Sequence, residues 1–197
     1  MKFIWKGKMT SDNSFVYESL PKTAQKLVNT SKSWTVYLLI VPILLVAYTG
    51  IRIRLHSSSD ILFNKPGLLL GVGLSVVFLV FHEMIHGLCC PPKTEVLFYF
   101  TLSGFCTIPT SPLRKSRYLF MLLMPTALLG VIPFLLWILL PNLSVVLGSI
   151  LFGFSLGSLS TCIGDIYNSI LAAKKMSSKA VMITSGQDCY YYEATEQ

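Results

Sequence analysis

Residues 82–86 read His82-Glu83-Met84-Ile85-His86 and lie inside an apolar run from about Gly67 to Cys90, which Pro91-Pro92 closes. On an α-helix, side chains four apart sit one turn above each other, so His82 and His86 point the same way and both imidazoles can reach one metal ion. The run is long enough to cross a bilayer, whose hydrocarbon core of ~30 Å needs about 20 apolar residues. Each ionisable group in such a helix costs about 2.5 kcal/mol or more on insertion scales, and here three fall within five residues. A shared metal ion compensates that cost. The alternative is that the three groups pair with polar groups of other helices or lie at the membrane interface.

Composition agrees with a membrane setting. Of the 197 residues 53% are hydrophobic and 13% charged, and the mean hydropathy is +0.63, whereas soluble domains carry about 25% charged residues. The net charge of +7 resides in terminal segments and loops and is not interleaved with aromatic residues, so it does not point to nucleic acid. Five cysteines (Cys89, Cys90, Cys106, Cys162, Cys189) without C-x-x-C spacing argue against a disulfide framework or an all-cysteine zinc site. The first apolar run begins near Trp34, too late and too long for a cleaved signal peptide.

The pattern predicts an all-α integral membrane protein with four transmembrane helices, at about 34–51, 67–90, 118–140 and 143–173. Arg52 and Arg54 end the first helix, and Pro141-Asn142 joins the last two. A small β-hairpin is expected between the second and third, where Val96 to Phe100 and Phe105 to Ile108 flank Ser103-Gly104. Residues 1–33 read as a basic cytoplasmic N-tail with a short surface helix at Thr23 to Val28, residues 34–173 as the membrane domain, and residues 174–197 as a cytoplasmic C-tail. Thirteen Lys and Arg residues on the side of the termini, against three on the other, place both termini in the cytoplasm.

Two imidazoles leave a catalytic zinc one protein ligand short, with a fourth position for water. Asp165 is the expected third ligand, being the acidic residue of the fourth span and the costlier one to leave unpaired in lipid; Cys162 is its rival. Under the four-span topology His82, His86 and Asp165 lie at similar depth. Asn168, one turn beyond, can orient Asp165 or polarise a substrate carbonyl from behind the ligands. Glu83, beside the metal but not on it, is the group that takes a proton from the attacking water. Ser149, Gly153 and Gly157 give the fourth span a small-residue series suited to close packing. Cys89 and Cys90 read as packing at a helix end.

An H-E-x-x-H run in one membrane helix with an Asp late in another resembles the site-2 protease type of intramembrane metalloprotease. More closely, His82 to Gly87 followed by Gly164-Asp165 resembles a bacterial family of small membrane zincin peptidases of unknown function, over about residues 67 to 173. The resemblance implies a Zn2+ cofactor held by His82, His86 and Asp165, with Glu83 as catalytic acid and base. It further implies a peptide substrate in or on the bilayer, and residence in a bacterial plasma membrane. Site-2 proteases usually place Gly after the Asp; here Gly164 precedes it. By analogy, the segment from Val96 to Ile108 offers a β edge to an unwound substrate strand. The expected function is therefore a zinc-dependent intramembrane endopeptidase, the alternative being a non-proteolytic metal-binding membrane protein for transport or sensing.

Overall fold

The structure is a computed structural model that describes residues 2–10, 13–28, 36–57, 63–101, 104–140, 142–186 and 188–193. The expected span start at Trp34, the turn residue Ser103 and Pro141 lie outside them. The chain divides into two compact units, one of residues 1–33, 80–124 and 165–197, the other of residues 34–79 and 125–164.

The second unit is helical. It holds α1 (Ile40–Ser57), α2 (Lys65–Val77), a π-helical stretch (Thr126–Val131), α5 (Ile132–Leu139) and α6 (Val145–Thr161). Asn64 caps α2 by accepting from the Gly67 amide at 2.7 Å, and its own amide donates to Ser149 Oγ of α6. The two helices approach closely because glycine lines the seam. A Cβ at Gly71 would strike the Ile150 carbonyl, and one at Gly153 the Leu68 carbonyl. Trp137 and Phe152 (ring centroids 4.5 Å apart) centre the aromatic core with Ala47 and Phe134.

Arg54 does not end the first helix as the sequence suggested. Its guanidinium lies over the Trp137 ring, 4.8 Å from the centroid, and donates to the Trp137 carbonyl, so α1 continues to Ser57 with Arg54 buried. The π stretch follows Pro125 and precedes Pro133; widening the helix there relieves the clash between a proline ring and the preceding turn.

The first unit departs from the all-α expectation. Besides α3 (Leu79–Leu88), α4 (Lys115–Pro125) and α7 (Ile163–Lys175), it contains two small sheets. One has the order β1-β3-β4, with β1 (Lys2–Lys8) parallel to β3 (Glu95–Thr101) and β3 antiparallel to β4 (Gly104–Pro109). The β3–β4 pair is the anticipated hairpin, and Gly104 supplies a positive φ of 122° at its turn. The other sheet is β2-β7-β6-β5, from Gln25–Lys26, Asp188–Glu193, Ala180–Ser185 and Leu113–Arg114, antiparallel throughout.

Both expected tails are thus folded. The region read as a surface helix contributes strand β2, and Leu27 beside it is fully buried in a core with Tyr118, Met121, Ala172 and Met182. Cys89 and Cys90 pack in this core at the end of α3, as expected.

Two helices, Val36–His56 and Lys115–Leu139, are long and apolar enough to cross a membrane, and up to four if each interrupted pair (α2 with α3, α6 with α7) is one span. The interruptions fall at Phe78 and Cys162.

Packing by absent side chains makes a sharp prediction. Gly71→Val and Gly153→Val each lower stability by about 1–3 kcal/mol through overpacking. Gly73→Ala, where an added Cβ meets nothing within 4 Å, is neutral or stabilising by up to about 1 kcal/mol. Thermal unfolding in detergent distinguishes the two classes.

Candidate metal centre

Helix α3 presents His82 and His86 on one face, both 5% exposed. Asp165, in the first turn of α7, reaches the same point. His82 Nε2 lies 2.9 Å and His86 Nε2 3.4 Å from Asp165 Oδ2, and the two imidazole nitrogens are 3.0 Å apart. Among the described residues these three form the one group of His, Cys, Asp and Glu donors close enough to share an ion.

Tetrahedral zinc with ligands at about 2.0–2.1 Å requires donor separations of about 3.3 Å, and the observed separations of 2.9, 3.0 and 3.4 Å lie close to that, the two shorter ones opening slightly to admit an ion. The donor chemistry fits as well. His86 Nδ1 is 2.9 Å from the Met121 carbonyl, which can only accept, so Nδ1 carries the hydrogen and Nε2 of neutral His86 carries a lone pair. That lone pair faces a carboxylate oxygen and a second imidazole nitrogen. A cation placed among them converts mutual repulsion into ligation. The three residues would hold a zinc ion and leave one position open, the donor set of catalytic rather than structural sites.

The Met121 carbonyl is available because Pro125, four residues on in α4, has no N–H to offer it. Carbonyl support of a ligating imidazole fixes its tautomer and ring orientation. Sequence reasoning did not find Met121, although Pro125 is the signal that would have revealed it. Thr107 was also missed: its Oγ1 donates to the Glu83 carbonyl at 2.9 Å, tying α3 to β4. No local pattern in the sequence announces that contact.

Glu83 is half-buried on the turn between the two histidines. Asn168 is half-buried on α7, three residues beyond Asp165, with no hydrogen bond to it among the described residues. Cys162 is outside the donor group and marks the end of α6. A cavity of about 630 Å³ opens between β4 and the β6–β7 hairpin, with Thr107, Phe105, Cys106, Thr184 and Cys189 on its walls. Burial pushes the Cys106 thiol up to about 12 and raises Cys189. Both therefore remain protonated near neutrality and are poor nucleophiles.

A buried pair of helical histidines facing a carboxylate is the donor arrangement from which mononuclear sites of two imidazoles and one carboxylate are built. The chain belongs to the family described as "Putative zincin peptidase", whose model matches residues 75–180 and so includes all three donors, Glu83 and the hairpin. No curated protein and no solved structure matches the chain.

Two outcomes follow for metal binding. His82→Ala, His86→Ala and Asp165→Ala each abolish stoichiometric zinc in purified protein, whereas Cys162→Ala retains it, as elemental analysis would record. Pro125→Ala returns an N–H that competes for the Met121 carbonyl and weakens zinc about tenfold, the lower end for losing support behind a ligand. Pro133→Ala leaves the affinity unchanged, and a competition titration with a chelator measures both.

Proposed function

We propose that this chain is a zinc-dependent endopeptidase of site-2-protease-like type, hydrolysing a peptide bond of a membrane-associated substrate. The observation that carries the reading is the convergence of His82 Nε2, His86 Nε2 and Asp165 Oδ2 within 3.4 Å, with Glu83 on the same helix. In this reading each interrupted helix pair is one of four spans, both termini are cytoplasmic, and the membrane is a bacterial plasma membrane.

A zinc ion held by the three donors would supply Lewis-acid polarisation. Glu83 takes one proton from an attacking water as the water oxygen adds to the scissile carbonyl carbon. It then returns the proton to the amide nitrogen as the C–N bond breaks, leaving a carboxylic acid and an amine. Met121 holds the His86 ring in register, and Thr107 anchors the backbone of Glu83. The cavity beside β4 has room for a short extended peptide, and its hydroxyl-lined wall can hydrogen-bond a main chain.

Glu83→Gln separates this reading from metal binding without hydrolysis. The variant keeps zinc and its melting temperature but loses cleavage of a membrane-reconstituted peptide by at least about 100-fold, the usual worth of a general base. A wild-type protein that holds zinc yet cleaves nothing, and whose biological activity survives Glu83→Gln, supports a transport or sensing role instead.

A further inference from the structure

The β1-β3-β4 sheet has two faces of different fate. One carries Leu97, Tyr99 and Ile108, all at most 5% exposed, covered by Ile4, Met9 and Phe15. The register puts Trp5 opposite Phe98, Phe98 opposite Thr107, and Phe100 opposite Phe105 on the other face. Helix α3 covers one end of that face, where Gly87 lies against the Phe3 ring and Val96, and Thr107 bonds the Glu83 carbonyl.

Beyond α3 the rings stack against one another, and Phe105 also lines the cavity beside the β6–β7 hairpin. The Trp5 ring lies 5.9 Å from Phe98 and 6.4 Å from Phe105, and Phe105 lies 5.5 Å from Phe100. Trp5 is nevertheless 60% and Phe100 45% exposed. Two exposed aromatic side chains, Trp5 and Phe100, beside the half-buried Phe98 and Phe105 make a clustered apolar patch that soluble surfaces avoid.

We propose that this aromatic ledge is seated in the headgroup region of the bilayer, so that the N-terminal strand is a membrane-interface anchor beside the His82–His86 helix. Three observations choose lipid as the occupant. The ledge adjoins α3, half of a candidate span, whose own outer stripe of Phe81, Met84 and Leu88 is 39–61% exposed. Tryptophan with flanking phenylalanines is the side-chain chemistry of membrane interfaces, apolar in body with one N–H for the wet side. Lys2, Lys6 and Lys8 are exposed along the same strand, and cationic residues there complement anionic lipid phosphates. The bulge between Trp5 and Gly7 re-aims the strand, bringing Lys8 opposite Phe100 at the margin of the ledge.

The test uses the full chain in vesicles of phosphatidylcholine and phosphatidylglycerol. Fluorescence of wild type minus that of Trp5→Phe isolates Trp5 and leaves Trp34 and Trp137 in place. The expected result is a Trp5 signal lost to lipids brominated high on the acyl chain, less affected by bromine at the chain end, and insensitive to aqueous iodide. Trp5→Phe preserves apolar bulk, and an unchanged circular dichroism spectrum verifies the fold. Quenching of Trp5 by iodide but not by bromolipid overturns the proposal. Shielding from both quenchers also overturns it, because a protein surface, such as a second copy of the chain, then covers the ledge.

Discussion

Two imidazole nitrogens and a carboxylate oxygen meeting at one buried point impose the main constraint on this protein. None of the three is cheap to remove from water, and each would be unfavourable alone among apolar helices. Together they are compatible only with a cation or shared protons between them. Much of the first unit is arranged to hold that meeting point. Helix α3 supplies the histidines, α7 begins with the aspartate, and α4 turns a carbonyl that Pro125 leaves without its helical partner toward His86. Cys89, Cys90, Leu122 and Ala172 belong to the buried core of the same unit, and the Met121 carbonyl fixes the orientation of the His86 ring.

The second unit is held together by a different principle. Its helices are apolar on their outer faces as well, so their association depends on close van der Waals contact and on satisfied polar groups. Gly71 and Gly153 let backbones touch, while serine hydroxyls turn back onto their own helices, as Ser149 does to Val145 and Ser155 to Phe152. Arg54 is accommodated by an aromatic face and a carbonyl at the end of a neighbouring helix. A cation is thereby buried without breaking the helix that carries it.

The strands brace the His82, His86 and Asp165 cluster. Thr107 on β4 steadies α3 from one side, and β6 and β7 close the core beneath α4 and α7, with Lys175 donating to the Leu27 carbonyl and Lys115 to the Met176 carbonyl. The parallel pairing of β1 with β3 brings residues more than ninety positions apart into register.

The sequence by itself determined the long apolar helices, the two histidines and the glutamate of α3, the small-residue seam of α6 and the β3–β4 hairpin. Each of these is a local signal: hydropathy over a span, a four-residue spacing, a one-turn repeat of small side chains, or β-prone runs about a glycine. Charge and polarity misled at the ends, where lysines hid the aromatic alternation of Phe3 and Trp5, and Asp188 and Glu193 flanked the β-prone tyrosines of β7. Only the tertiary structure decided that Asp165 and not Cys162 meets the histidines, that Met121 supports His86, and that Thr107 holds Glu83. Those contacts join residues 24 to 83 positions apart, and sequence spacing cannot encode a meeting that depends on how separate helices and strands pack.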